Sequence, residues 1–183
     1  MIILKAASLP FVLCLTASIV PLTAIAEDNA PPLQTVDHVD LNRYMGKWYE
    51  IASFPQWFQK NCVASSATYT LRKDGDVDVV NQCREKILDG KIKDAKGKAW
   101  VVDRRSNAKL KVRFFWPFSG DYWIIDLGPD YEYAVVGHPK RNYLWILSRS
   151  TKMDPATYAG ILERLKKQRY DLDRLKSTLQ PPE

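Results

Sequence analysis

The segment LNRYMGKWYEI, at residues 41–51, decides the fold of this chain together with YLWILSR at residues 143–149. The first segment places the indole of Trp48 near the start of a predicted strand, and the second places the guanidinium of Arg149 at the end of another. If the strands form a barrel, these two side chains can meet in a cation–π stack. Gly46, Trp48 and Arg149 are therefore expected to close one end of the barrel structurally. The other end would then be open to a hydrophobic ligand.

Short strand patterns recur between these two segments about every ten residues, and turn signals separate them. The first predicted hairpin turns at Asp74-Gly75, which is a strong signal for a tight turn. The predicted strands cover residues 46–54, 64–71, 77–83, 96–103, 109–116, 121–127, 131–138 and 142–149. Eight strands with hairpin-length connections predict an all-β fold, an antiparallel up-and-down β-barrel that holds one small ligand.

The sequence period changes after the eighth strand. Asp154 is placed to cap a helix with Pro155 at its first position, and apolar residues recur at helical spacing from Tyr158 to Leu165. This pattern predicts one amphipathic helix of about 14 residues, packed on the outside of the barrel. A short final strand is expected near residues 175–179.

Alternation along the strands predicts which side chains face the interior. The apolar face of the fifth strand consists of Leu110, Val112, Phe114 and Trp116. In the hairpin, Tyr69 and Asn81 fall on the inward face. In the sixth strand the set that contains Trp123 has no charge, whereas the alternative set contains Tyr122 and Asp126. Trp123 is therefore predicted to face inward.

Residues 1–26 have the pattern of a secretion signal. Lys5 supplies the positive start, residues 9–20 an apolar run too short to cross a bilayer comfortably, and residues 24–26 a small-residue cleavage site. Cys14 is preceded by Leu13 rather than by a small residue, so lipoprotein anchoring through Cys14 is not expected. The predicted division is a signal peptide at 1–26, an N-terminal linker at 27–40 and one domain at 41–180.

Two cysteines, Cys62 and Cys83, follow the predicted signal. An even count in an exported chain favours a disulfide over a metal site or a catalytic thiol. The predicted hairpin places the two cysteines on neighbouring strands, which is compatible with a bridge.

The chain is basic, with a formal net charge of +6. Its lysines and arginines are spread along the sequence rather than gathered in one block, as expected for solvated faces of strands and of one helix. Nucleic acid is therefore not an expected partner.

Three ordered stretches resemble the signatures of the lipocalin family: residues 42–51, residues 130–136 and residues 144–149. The similarity covers nearly the whole mature chain and points to the bacterial lipocalin and apolipoprotein D-like members. It implies an eight-stranded calyx that stores or carries a lipid, with bacterial members associated with the outer membrane and with lysophospholipids or fatty acids. It also implies an exported protein of the periplasm or outer-membrane periphery, although the sequence around Cys14 departs from the lipidation motif of those members.

The resemblance assigns the closed end to Trp48 and Arg149, and the ligand-lining positions to Tyr69, Asn81, Phe114 and Trp123. Trp57 and Phe58 lie in the first long loop, where an aromatic pair is a flap over the ligand, a membrane contact or a buried rim contact. Phe114, Trp116 and Trp123 are either ligand contacts or plain core. The predicted ligand-binding set is Trp57, Phe58, Tyr69, Asn81, Phe114, Trp116 and Trp123.

The predicted function is storage or transport of a single-chain lipid, a lysophospholipid or fatty acid, for maintenance of the envelope membrane. The alternatives are a carrier of a haem-like or pigment-like ligand and, less favoured, a lipid-modifying enzyme. Catalysis is disfavoured because His38 and His138 belong to no nucleophile pattern, and two scattered histidines make no metal site. No catalytic residue, metal or cofactor is expected. The chain is expected to be a monomer or homodimer, with peripheral membrane contact as an open alternative.

Overall fold

The computed structural model describes residues 31–182, so the predicted signal peptide and Cys14 lie outside the described residues. Across this range the chain forms nine strands and two α-helices. The strands are β1 (Gly46–Ser53), β2 (Cys62–Leu71), β3 (Val77–Glu85), β4 (Ile92–Val101), β5 (Lys109–Phe115), β6 (Phe118–Leu127), β7 (Tyr133–Gly137), β8 (Leu144–Ser148) and β9 (Lys176–Ser177). The helices are α1 (Leu41–Tyr44) and α2 (Pro155–Lys167), and single 3-10 turns occupy Trp57–Gln59 and Leu172–Arg174.

The strands β1 to β8 form a closed antiparallel barrel in which each strand pairs with the next. The barrel closes because β1 pairs with β2 on one side and with β8 on the other. The short strand β9 adds to the outer part of β1. The predicted all-β up-and-down barrel is therefore confirmed. β4 begins at Ile92 rather than at residue 96, and this extension shapes the mouth of the barrel.

A cluster of buried side chains fills the lower part of the barrel, and a second cluster lies outside the barrel beneath α2. Asp154 caps α2 by accepting a hydrogen bond from the backbone N–H of Thr157 at 2.8 Å. The helix buries Ile161 and Leu165 against the barrel wall. The predicted external helix is confirmed, and its apolar stripe explains why the wall beneath it is also apolar.

The segment before the barrel, residues 31–40, packs against it. Leu33 and Val39 are buried, and the backbone N–H of Val39 donates to the carbonyl of Ser106 at 2.7 Å. Part of the predicted N-terminal linker is thus an ordered strap.

At the closed end, the guanidinium carbon of Arg149 lies 3.7 Å from the centroid of the Trp48 ring. Arg149 also donates hydrogen bonds to the carbonyls of Lys47 at 2.9 Å and Arg43 at 2.8 Å. Gly46 has a φ of +92°, and a Cβ there would lie 3.3 Å from Arg149 Nη1, so the close approach favours glycine. These contacts join α1, β1 and the end of β8.

Candidate ligand-binding site

The lumen of the barrel has a polar floor made of three tyrosines. The phenol oxygen of Tyr122 lies 2.8 Å from that of Tyr44 and 2.9 Å from that of Tyr69. Burial raises the pKa of Tyr69 to about 12 and raises the pKa values of Tyr44 and Tyr122 well above their usual range, so all three are neutral at pH 7. Two hydrogen bonds use two of the three hydroxyl protons, and the third proton can be donated to another acceptor.

The space among these tyrosines and their apolar neighbours is small. Its volume is about 10 Å³, which is about the room for one water molecule. The apolar neighbours are Leu41, Met45, Val77, Val79, Ala99, Leu110, Val112 and Ile124. The lower lumen is therefore filled and leaves no room for a ligand beside the tyrosines.

The upper lumen is lined by small and polar side chains on the β2–β4 side. Asn81 pairs in register with Ala67 of β2 and Ala95 of β4, and Ala67 belongs to the interior cluster. Asn81 thus faces the lumen, as alternation predicted. Phe114 also packs against the interior cluster, and a Cβ on Gly97 would lie only 2.7 Å from its ring. Gly97 therefore lets the Phe114 ring lie directly on the β4 backbone.

The prediction that Trp123 faces inward is wrong. Trp123 pairs in register with Lys109, whose ammonium lies 4.5 Å from the centroid of the indole, and it packs with the outer cluster. Tyr122, its neighbour, faces the lumen instead.

One irregularity in β6 explains the error. The β6–β7 register shifts between Ile124 and Asp126, so that Ile125 is an extra residue on β6. An extra residue of this kind changes which side chains share a face, although Tyr122 and Trp123 themselves pair regularly with Leu110 and Lys109. Asp126 consequently lies outside, where its carboxylate accepts a hydrogen bond from Arg164 at 2.6 Å, although Ile124 is inside. Asp126 is the charge that led to the Tyr122 set being placed outside. It lies beyond the register shift and therefore does not report the direction of Tyr122.

The prediction that Trp116 continues the inward face of β5 is also wrong. β5 ends at Phe115, and the side chain of Trp116 is 82% exposed in the turn before Pro117. Proline offers no N–H to continue the ladder, so the strand ends and the indole leaves the lumen.

At the mouth, the loop after β1 is hydrogen-bonded to the buried carboxylate of Glu50 on β1. Glu50 accepts hydrogen bonds from Gln59 Nε2 at 2.8 Å and from Ser53 Oγ at 3.0 Å. Gln59 in turn accepts a hydrogen bond from Trp145 Nε1 at 3.1 Å, and Thr178 Oγ1 also donates to Glu50. This network links the mouth loop to β8 and to the tail.

The aromatic pair of this loop stands at the open end. The side chains of Trp57 and Phe58 are 84% and 51% exposed, and their rings meet edge-to-face at 5.7 Å. The interpretation that they form a buried rim contact is therefore wrong for Trp57. Nearby, Cys62 and Cys83 form the predicted disulfide between the start of β2 and the end of β3.

A groove of about 590 Å³ lies on the outer face of the barrel, beside the tail. Tyr49, Ser66 and Gln82 line it and are register partners across β1, β2 and β3, on the face opposite to Trp48, Ala67 and Asn81. Lys47, Arg84 and Arg149 give it a basic and polar lining, which does not suit an acyl chain.

Sequence reasoning missed Tyr44, Tyr122, Glu50, Gln59 and Trp145 as lumen residues. The inward orientation of Tyr122 is missed when regular alternation is assumed along the whole of β6. Trp145 pairs with Val136 of the interior cluster, and alternation within β8 was a signal that could have identified it. Glu50 carries a charge and is only 6% exposed, which no local pattern indicates.

Within residues 31–182, no helix has the length and apolar composition needed to cross a membrane. The same residues contain no group of three or more histidine, cysteine, aspartate or glutamate side chains arranged to hold a metal ion.

A closed eight-stranded antiparallel barrel with a filled floor is the architecture of a class of proteins that hold one small ligand. A family model described as a lipocalin-like domain matches residues 39–180. The chain belongs to the lipocalin family, and the resemblance seen in its three signatures is confirmed.

Relatives match most of the chain. This chain is 44% identical over 163 residues to temperature-induced lipocalin-1 of Arabidopsis thaliana, and the match covers 82% of this chain and 86% of that protein. It is 35% identical over 175 residues to the outer membrane lipoprotein Blc of Escherichia coli (strain K12), covering 94% and 97%. Bovine (Bos taurus) apolipoprotein D is 34% identical over 158 residues, covering 81% and 79%. Insecticyanin of the tobacco hornworm Manduca sexta shares the fold, with a TM-score of 0.65, 20% identity and coverage of 81% and 85%.

Proposed function

We propose that this lipocalin carries one single-chain amphipathic lipid, a lysophospholipid or a fatty acid, in the upper half of its barrel. The observation that supports this most is the vertical order of the lumen. Neutral tyrosines and packed apolar side chains fill the bottom, and above them Asn81 is only partly buried and Ala95 is exposed, although both are on the inner face. A narrow lumen of this kind suits an acyl chain with its head group at the mouth.

Apolar burial supplies the affinity. Each methylene removed from water contributes about 0.8 kcal/mol, and the cost of association is subtracted from the sum. Asn81 stands on the lumen wall above the floor and can hydrogen-bond an ester or hydroxyl of the head group. The third tyrosine proton can be donated to a polar group that reaches the floor. Micromolar binding therefore needs few polar contacts.

We further propose that the protein is exported, that it works at the periplasm or outer-membrane periphery, and that it binds its ligand without chemical turnover. Export is supported by the signal pattern of residues 1–26 and by relatives named as outer membrane lipoproteins. Binding without turnover is supported by lipocalins being generally binding or transport proteins. Mass spectrometry of lipid incubated with the protein should show the lipid unchanged, and a new product would contradict this part of the proposal.

The carrier proposal is tested by filling the lumen. Ala95 and Lys96 are neighbours on β4, and Ala95 shares the inner face with Asn81 whereas Lys96 is on the outer face. Ala95→Trp should therefore abolish binding of a lysophospholipid followed by tryptophan emission, and Lys96→Trp should leave it unchanged. Absence of any emission change when the wild-type protein is titrated with single-chain lipids, or equal binding by both variants, would contradict the proposal.

A further inference from the structure

The wall of the barrel reaches less far toward the open end at β5 and β6 than at β3 and β4. β4 pairs with β3 up to the partners Arg84 and Ile92, but its pairing with β5 stops at Lys98 and Arg113. Continuing that register places residue 96 beside Phe115, the last residue of β5. Residues 92–95 then rise beyond the β5–β6 turn by about 13 Å, at about 3.3 Å per residue. We call the space between residues 92–95 and the turn at 115–118 the side notch.

The low border of the side notch is strongly apolar and exposed. The side chains of Phe115, Trp116 and Phe118 are 74%, 82% and 78% exposed. Among the described residues, the exposed large apolar side chains beyond this turn are Trp57, Phe58, Ile87, Ile92, Val102 and Leu179. Trp57, Phe58 and Ile87 are also at the open end, because they belong to the loops after β1 and β3, and Ile92 is there as the first residue of β4. A concentration of this kind marks a surface that binds another apolar body.

The charge of the connections around this surface indicates which kind of partner it binds. The connections at the open end, residues 54–61, 86–91, 116–117 and 138–143, carry five basic side chains and one acidic one. The basic side chains are Lys60, Lys86, Lys91, Lys140 and Arg141, and the acidic one is Asp89. The closed-end connections, residues 72–76, 102–108 and 128–132, carry four basic and five acidic side chains. Aromatic side chains amid basic ones match the interface of an anionic bilayer.

A second copy of the chain fits less well. The free edge of β4 carries Lys93, Asp94 and Lys96, and charged side chains on an edge strand oppose its pairing with another strand. Two copies meeting mouth to mouth would also bring the same basic loops together. The bilayer satisfies both the exposed rings and the basic loops.

We propose that the open end docks on an anionic phospholipid bilayer with the β5–β6 turn in the interface, and that a lipid passes into the lumen through the side notch. This rests on the proposed carrier function. The acyl chain slides over the Phe114 ring, which lies on Gly97 at the base of the notch, and reaches the wall at Ala95. Its anionic head group stays at the mouth, near the basic side chains of the open-end connections. The lipid thus avoids crossing open water.

Docking is tested by sedimentation of the full-length mature chain with vesicles of phosphatidylcholine, with and without phosphatidylglycerol. Wild type should cosediment with the anionic vesicles only, and salt should weaken the binding. The triple variant Phe115→Ser, Trp116→Ser, Phe118→Ser should lose roughly tenfold or more of its partitioning, because the rings supply the buried area. The matched control is Val102→Ser, which removes an exposed apolar side chain at the closed end. Equal binding by both variants would overturn the proposal.

Orientation is tested by quenching tryptophan emission with phospholipids brominated on the acyl chain. Trp116→Phe should remove a large part of the quenching, whereas Trp100→Phe should not, because Trp100 lies on the outer wall under Arg113. Quenching that is insensitive to Trp116→Phe would overturn the docked orientation. If the triple variant instead dissociates a dimer of the lipid-free protein, the patch is a protein interface and the proposal is overturned.

Passage through the side notch is tested by the kinetics of uptake of a fluorescent fatty acid. Uptake from vesicles should accelerate in proportion to vesicle concentration and should slow in the triple variant, whereas uptake of the same fatty acid from solution should not change. A rate from vesicles that does not depend on their concentration indicates transfer through water and overturns the notch. If the wild type does not bind the fatty acid from solution, the carrier function is contradicted. Docking on the bilayer is measured separately by cosedimentation.

Discussion

The guanidinium of Arg149 lies flat over the indole of Trp48, with 3.7 Å between the guanidinium carbon and the ring centroid. The same side chain donates to backbone carbonyls of α1 and β1. Arg149→Ala should therefore lower the free energy of unfolding by about 2–4 kcal/mol, from the lost stack and from carbonyls left unpaired. Urea denaturation measures this loss, and titration with a soluble lysophospholipid should give an unchanged affinity.

The conservative variant separates charge from shape. Arg149→Lys keeps the charge but cannot stack as a plane or form the same forked hydrogen bonds, so it should recover less than half of the lost stability. Full recovery with lysine would show that charge alone holds the closed end.

The three floor tyrosines make stability sensitive to alkaline pH. The pKa of Tyr69 is raised by burial to about 12, above the value of about 10 in an unfolded chain, and those of Tyr44 and Tyr122 are raised too. The unfolded chain then loses its phenol protons first as pH rises. Stability from this source is fully present below pH 10 and is lost as pH rises from about 10 to 12, by about 1.4 kcal/mol per pH unit for each tyrosine.

Urea denaturation at several alkaline pH values measures this slope. Tyr69→Phe should make the slope shallower, since one of the shifted groups is gone. An unchanged slope in that variant would mean that other groups dominate the alkaline loss.

Phe114 and Trp123 should behave differently although both were predicted to bind the ligand. Phe114 lies on the lumen side and Trp123 packs outside with Lys109 across its ring. Phe114→Ala should weaken binding of a single-chain lipid, whereas Trp123→Ala should leave affinity unchanged and lower stability by about 1–3 kcal/mol through lost packing. Fluorescence titration and urea denaturation of the two variants check this, and a loss of affinity in Trp123→Ala would be the contrary result.

The disulfide between Cys62 and Cys83 closes a loop with a sequence separation of 21 residues at the rim. Its removal should cost about 3 kcal/mol, chiefly by releasing the unfolded chain. The variant Cys62→Ser, Cys83→Ser should remain folded by circular dichroism with a lower urea midpoint. A midpoint equal to that of the wild type would show that the bridge constrains little.

The barrel and the helix α2 follow from local sequence patterns, because alternation and helical spacing are repeated along whole elements. The orientation of Tyr122 and Trp123 does not, because Asp126, the charge that separated the two candidate faces, lies beyond a register shift between β6 and β7. The contacts of Glu50 with Gln59 and Thr178 join residues far apart in sequence, so no local pattern reports them. The exposure of Trp116 depends on where the strand ends beside Pro117.

The separation of the two buried clusters bears on how this barrel can change over evolution or in the laboratory. The cluster under α2, which includes Phe54, Ile161 and Leu165, is separate from the cluster inside the lumen. Residues of the upper wall can therefore be exchanged for others of different size while the packing under the helix is kept. The scaffold is suited to acquiring new ligand selectivity with little loss of foldability.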